Sequence, residues 1–183
     1  MVKIEPLTIL GNSDTPGGTY LLGITVKNET EVVFGRFHHG HPVPIPAGHY
    51  LYVGSAMRGL GSRLLRHATR TPPHPPHTIR PRLKRALHLA GLPAHSPRHK
   101  KLHWHIDYLL NTPQACLCHV IILRHPMPLE KQLAQWLLAK PETDILQPGL
   151  GASDHQGSTH LLRVPATATW QQDLVAQLAY QFN

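Results

Sequence analysis

Between Val32 and Ile106 the chain has no aspartate or glutamate, yet it carries Arg36, Arg58, Arg63, Arg66, Arg70, Arg80, Arg82, Lys84, Arg85, Arg98, Lys100 and Lys101. A nucleic acid is a dense line of phosphate charge, and cations that neutralise it release bound counterions. A run of cations without nearby acids therefore suits a phosphate backbone. The histidines of the same span add charge only as the pH falls below about 6.5. Directly after the last lysine comes the string His103-x-His105-x-Asp107. On an extended chain, side chains two apart share a face. Two imidazoles and a carboxylate would then face one zinc ion, with His160, Asp154 or His155 completing the ligand set. The residue types thus point to phosphate recognition and, as an alternative, to zinc-assisted hydrolysis.

The rest of the composition agrees with a polyanionic partner. The 183 residues hold 18 Lys+Arg against 10 Asp+Glu, a formal net charge of +8, and the pI is near 9.9. Such a balance speaks to partners rather than to a fold. The length suggests one domain able to bury a core without staples. Cys116 and Cys118 stand two apart and would share one face of a strand, so no disulfide is expected and a reducing compartment, the cytoplasm, is the default. The opening MVKIEPLTIL is too short and too broken by Glu5 and Pro6 for a signal peptide. No run approaches the ~18 apolar residues of a membrane span, and the prolines of the basic stretch argue against a membrane-surface helix. No protein partner is expected.

These residues need elements to hold them. Gly18–Val26 is β-branched and aromatic after a Pro-Gly-Gly turn and reads as a strand. Glu31–Phe37 reads as a second strand, paired with the first in a hairpin. His38–Gly48 contains three prolines and reads as a loop; His49–Ala56 reads as a third strand. Gly59–Ala68 has helical spacing, with Leu60, Leu64 and Leu65 on its apolar stripe and Arg63, Arg66 and His67 largely off it. Residues 69–99 change composition, with two Pro-Pro pairs, many histidines and one basic helical piece. They read as an inserted mobile arm. Ala115–His125 reads as a buried strand. A helix opens at Met127-Pro128-Leu129-Glu130 and buries Leu133, Trp136 and Leu137. A glycine-rich loop then leads to a short strand, His160–Val164. Thr169-Trp170-Gln171-Gln172 resembles a capping box for a last helix ending near Tyr180. The expected organisation is one domain over 15–165, with 69–99 as an arm, and a C-terminal helix within 166–183 packing on it.

GTYLL, then YVGSA, then an arginine and a histidine on the following helix form an ordered set that resembles the GIY-YIG nuclease superfamily. HYLYVGSAMRGLGSRLLRH, KKLHWHIDYLL and GLGASDHQGSTHL look most like its Uri-type branch. The resemblance covers roughly Gly18 to Arg163, with 69–99 outside it. It implies an α/β (α+β) fold, a small mixed or antiparallel central sheet of about three main strands flanked by helices. It also assigns roles. Gly18, Thr19 and Tyr20 match the first motif, and Tyr52, Val53 and Gly54 the second. Arg63 and His67 match the arginine and histidine of the next helix, and Glu130 the metal-binding glutamate at the head of a later helix. One Mg²⁺ or Mn²⁺ ion at Glu130 would polarise the phosphate and stabilise the leaving group. Arg63 would contact the phosphate bidentately. Tyr20 or Tyr52 would orient or deprotonate the attacking water, with Arg63 and the metal lowering its ordinary pKa of about 10. His67 is the other candidate for proton transfer.

The match is incomplete. The family's final asparagine has no clear counterpart. Ser153 and Asp154 fit the branch's Ser-Asp, but His155 and Gly157 stand where cysteines are expected. Thr159 replaces a serine, and Lys131 follows the glutamate where a cysteine is common. Asp154 remains a plausible second acid near the metal. Each residue also has a plainer reading: Tyr20 and Tyr52 as core residues, Arg63 as a surface cation, Glu130 as an acid favoured by the helix dipole. The expectation from the whole is a metal-dependent endonuclease acting on DNA. Arg58, Arg66, Arg70, Arg80, Arg82, Lys84, Arg85, Lys100 and Lys101 would hold the nucleic acid. The alternatives are a non-cleaving nucleic-acid-binding module on the same scaffold, or a zinc-dependent hydrolase using His103, His105 and Asp107.

Overall fold

A computed structural model describes residues 2–11, 14–97, 99–152 and 158–182, without the side chains of 2–4. Arg98, Ser153, Asp154, His155 and Gly157 lie outside the described residues. The strands are β1 (Val2–Ile4), β2 (Leu7–Gly11), β3 (Gly18–Val26), β4 (Thr30–Val32), β5 (Val43–Ile45), β6 (Gly48–Ala56), β7 (Ala115–Arg124), β8 (Asp144–Ile145) and β9 (Leu161–Val164). The helices are α1 (Leu60–His67), α2 (Arg80–Leu89), α3 (His105–Asn111), α4 (Glu130–Leu138) and α5 (Ala168–Gln181).

Among the described residues the main sheet has seven strands in the order β1-β2-β7-β3-β6-β9-β8, not about three as expected. Only β2 and β7, among the described residues, pair in parallel. The difference has a simple cause. The central β7, β3 and β6 are 10, 9 and 9 residues long and show a clear apolar pattern. Of the outer strands, β9 matches the short strand expected at His160–Val164, while β1, β2 and β8 have two to five residues, too few to display a period.

The expected hairpin is also replaced. Both edges of β3 are filled, by β6 and by β7, so no edge remains for the following segment. β4 instead pairs with β5 in a separate two-stranded ribbon. The Glu31–Phe37 run stops early because Gly35 turns to φ +62°, where an added Cβ would lie 2.9 Å from the Tyr108 hydroxyl. The proline-rich segment read as a loop supplies β5, which is tolerable on an edge ribbon.

Helices cover both sheet faces. Leu60 and Leu64 of α1, Leu83, Ala86 and Leu87 of α2, and Ile106, Leu109 and Leu110 of α3 join Tyr20, Tyr50 and Tyr52 in one core. Leu133, Ala134 and Leu137 of α4, with Leu174 and Leu178 of α5, close the other. A sheet buried on both faces favours near-continuous apolar strands, which is why β3 and β7 read so strongly. Residues 69–99 are therefore part of the main core rather than an appended arm: Ile79, Leu83, Leu87 and Leu92 are all buried. The sequence reading missed this because proline and histidine mask these four well-spaced apolar residues. Helix α5 is capped by Thr167, whose Oγ1 accepts from Trp170 N at 3.3 Å, two residues before the expected cap at Thr169. Among the described residues no helix is long and apolar enough to cross a membrane.

Candidate functional site

The register of β3 against β6 places Tyr20 directly opposite Gly54 and Leu22 opposite Tyr52. Opposed residues share a face, so the two tyrosines are diagonal neighbours, with ring centroids 6.4 Å apart. Gly54 is where the Tyr20 ring crosses β6. A Cβ there would lie 2.6 Å from the Tyr20 hydroxyl and 2.7 Å from its Cζ. Gly18 is equally constrained, because its Cβ would meet the Leu123 carbonyl oxygen at 2.3 Å. Replacing Gly54 by alanine should destabilise the protein by about 1–3 kcal/mol through overpacking. Urea denaturation measures it, and an unchanged midpoint would contradict the contact.

Helix α1 follows β6 and brings His67 under Tyr20. The Tyr20 hydroxyl and His67 Nε2 are 2.9 Å apart, and both residues are buried. Behind the imidazole, His67 Nδ1 stands 3.6 Å from Asp107 Oδ1. Burial pushes the Tyr20 phenol above its ordinary value, against a lowering effect of the Arg63 charge. Burial likewise raises Tyr52, and the neighbouring Tyr20 adds to the shift. Burial lowers His67, so its ring is neutral at neutral pH. For Asp107, burial acts upward, but the His67 contact and the Lys100 and Arg66 charges outweigh it and keep the carboxyl ionised.

The charged rim is built by two other elements. Arg63, partly exposed on α1, lays its guanidinium over the Trp104 ring, Cζ 3.9 Å from the centroid. Glu130 opens α4 with its side chain 22% exposed, and its Oε1 lies 2.8 Å from His160 Nδ1. The charge of Glu130 reaches both tyrosines and raises both phenols, while Arg63 lowers both. Thr19 secures this corner: its Oγ1 accepts from Leu129 N at 2.8 Å and lies 3.2 Å from Ser55 Oγ. Tyr20, Tyr52, Arg63, His67 and Glu130, separated by up to 110 residues in sequence, therefore meet at one end of the sheet. Sequence reasoning missed Thr19 as an anchor and Trp104 as a platform. A pair of arginines three apart on one helix face was the only local sign of the latter.

The cations read as a phosphate-binding set divide into two groups. Arg66 donates to Asp107 Oδ1 at 2.8 Å and to the Lys101 carbonyl at 2.5 Å. Arg70 donates to the carbonyls of Leu110, Pro75 and Ala115. Arg80 bonds Thr69 and Ser96 side chains. Lys100 is buried, donates to the Thr69 carbonyl at 2.6 Å, and is lowered to about 8 by burial, against the pull of Asp107. These four tie the fold together. Arg58, Arg82, Lys84, Arg85 and Lys101 are exposed. Helix α2 lies antiparallel to α1: Arg80 at its start reaches Thr69 past the end of α1, and Leu92 and Pro93 beyond its end abut Gly61 near the start of α1. Arg82, Lys84 and Arg85 thus lie on a helix packed beside the one that carries Arg63.

The zinc alternative does not fit this arrangement. His103-x-His105-x-Asp107 is not extended, because α3 begins at His105. His103 is exposed, His105 Nδ1 accepts from Gly151 N at 3.1 Å, and Asp107 is buried against Arg66. Among the described residues, no three His, Cys, Asp or Glu side chains form a group able to hold a metal. A Mg²⁺ or Mn²⁺ ion makes a smaller demand, one carboxylate with water and substrate oxygens, and the partly exposed Glu130 is a donor of that kind.

A family model described as "Domain of unknown function DUF123" matches residues 19–181. No curated protein and no solved structure matches the chain.

Proposed function

The chain belongs to the DUF123 family, and we propose that it is a divalent-metal-dependent endonuclease of the GIY-YIG type, Uri branch, that hydrolyses phosphodiester bonds in DNA. The observation that carries this reading is the Tyr20–His67 hydrogen bond of 2.9 Å in a cluster edged by Arg63 and Glu130. Phosphodiester hydrolysis needs a proton acceptor for the attacking water and charge neutralisation on the phosphoryl oxygens. Tyr20 need not become a phenolate. Its oxygen accepts the proton of the water while its own proton passes to His67 Nε2, so the raised phenol pKa is no obstacle. The new P–O bond forms as the bond to the leaving oxygen breaks, and that oxygen takes a proton from solvent. Arg63, braced on Trp104, offers its paired N–H groups to the non-bridging oxygens. Glu130 would hold Mg²⁺ or Mn²⁺, which would neutralise charge on the phosphate and the leaving oxygen. The exposed Arg58, Arg82, Lys84, Arg85 and Lys101 would follow the backbone beyond the scissile bond.

A second reading draws on one observation. Tyr20 and His67 are only 1% and 0% exposed, as they would be in a nucleic-acid-binding module that uses them for packing alone. Cleavage assays on single-stranded, duplex and branched DNA, and on RNA, with Mg²⁺ or Mn²⁺ separate the two. Tyr20→Phe and Glu130→Ala should each lower the rate by about 100-fold or more. A wild type that binds but never cuts favours the binding module. Cutting by both variants at the wild-type rate would refute the site.

A further inference from the structure

The segment His103–Asp107 has no reacting group in the scheme above, yet it touches two groups that do. We propose that it is the positioning element of the site: Asp107 sets the tautomer of His67, and Trp104 aims the guanidinium of Arg63. The reaction it serves rests on the nuclease reading; the geometry stands apart from it.

The Asp107 carboxylate is completely buried and held from several directions. Arg66 Nη1 donates to Oδ1 at 2.8 Å. The backbone N–H groups of His103 and Trp104 donate to Oδ2 at 3.0 and 3.1 Å. Lys100 Nζ lies 3.7 Å from Oδ1. A carboxylate so surrounded stays ionised and cannot turn away. It faces the buried His67 Nδ1 across 3.6 Å, and among the described residues no other group comes within hydrogen-bond distance of that atom. A bare nitrogen lone pair aimed at an anion is repelled, whereas an N–H is attracted. The proton of the neutral ring therefore sits on Nδ1, and Nε2 is left as the acceptor of the Tyr20 hydroxyl. With the other tautomer His67 would donate to Tyr20 and could not receive its proton. The direction of proton flow is thus decided at Asp107, on the far side of the ring from Tyr20.

The same carboxylate fixes the backbone of Trp104 through Oδ2. The indole then lies under Arg63 at 3.9 Å and Arg66 at 4.5 Å. Arg66 is already tied to Asp107, so the ring is clamped on that side and serves as a platform for Arg63. A flat guanidinium resting on a fixed ring keeps its donor edge directed outward. One short segment therefore couples the base side of the cluster to its phosphate side.

The test begins with the wild-type protein. Long-range ¹H–¹⁵N correlation should show His67 protonated at Nδ1 and bare at Nε2 at neutral pH. The opposite assignment overturns the role of Asp107. The side-chain protons of Arg63 should carry an upfield ring-current shift, and its absence overturns the role of Trp104. In Asp107→Asn the two His67 tautomers should mix. The kcat should fall by about 100-fold with little change in KM, and an unchanged tautomer and kcat would contradict the proposal. Trp104→Ala should lower kcat/KM by about tenfold and Trp104→Phe should restore most of it, since a ring face suffices. Equal values for the two variants would contradict it. If the wild type cuts no nucleic acid, the nuclease reading fails while the two spectroscopic measurements still judge this one.

Discussion

Excision of residues 69–99 should unfold the protein. Ile79, Leu83, Leu87 and Leu92 are 0–4% exposed in the native state. Burial of a Leu or Ile side chain is worth roughly 1.5–3 kcal/mol, so these four together contribute roughly 6–12 kcal/mol. That is as large as the whole stability of a typical domain, roughly 5–15 kcal/mol. The segment also satisfies backbone groups elsewhere. His77 Nε2 bonds the Leu110 carbonyl at 2.9 Å, and His77 Nδ1 accepts from Leu117 N at 3.1 Å. Arg70 ties the carbonyls of Leu110 and Ala115. Circular dichroism and amide-proton dispersion of the deletion variant should show a largely unfolded chain. A folded, cutting remnant would restore the reading of 69–99 as an appended arm. The milder phenotype expected of that arm, weaker binding with a flatter salt dependence, belongs instead to replacement of the exposed Arg82, Lys84 and Arg85 by glutamine. Removing three phosphate contacts should reduce the salt slope by about 3 with the fold intact.

Acidification should destabilise the protein steeply well above the carboxylate range. Burial holds both His67 and His77 below the ordinary imidazole value, His77 to about 3. In the unfolded chain both rings take protons below about 6.5. In the fold they resist, so between these limits the unfolded state binds more protons and stability rises with pH. Each ring contributes stability that is full above about 6.5 and is lost as the pH falls toward its folded value, at about 1.4 kcal/mol per pH unit. From pH 7 to pH 4.5 the two together cost about 5 kcal/mol, a large share of the total. Asp107 contributes in the same direction only once the pH falls through the ordinary carboxylate range, below this window. Urea midpoints at pH 7, 5.5 and 4.5 measure the effect. His77→Gln keeps a donor for Leu110 and an acceptor for Leu117, and it should remove about half of the pH dependence. A flat profile between pH 6.5 and 4.5 would show that the buried imidazoles do not control it.

The long strands, the helix α1, the helix α4 headed by Glu130 and the glycines beside the tyrosines were legible because each leaves a local pattern. An apolar run of nine or ten residues and a leucine stripe are decided by neighbours in the chain. The seven-stranded width was not legible, since β1, β2 and β8, of two to five residues, carry no period. The hairpin expectation failed because pairing is a competition, and β6 and β7 from distant parts of the chain had already filled both edges of β3. His103-x-His105-x-Asp107 misled for a related reason. Asp107 accepts the N–H groups of His103 and Trp104, starts a helix, and destroys the shared face that an extended chain would have had.

The sequence by itself determined which groups this protein has for chemistry on a polyanion: two tyrosines on strands, an arginine and a histidine on one short helix, a glutamate at a helix head, and cations without acids from Val32 to Ile106. Only the tertiary structure decided their roles relative to one another. It engaged Arg66, Arg70 and Lys100 in holding the fold, through acceptors, Asp107, Leu110, Ala115 and Thr69, that stand 31 to 45 residues away. It also set His67 between Tyr20 and Asp107, 47 and 40 positions distant. Hydrogen bonds and burial depend on proximity in space, and that proximity comes from sheet register and helix packing rather than from spacing along the chain.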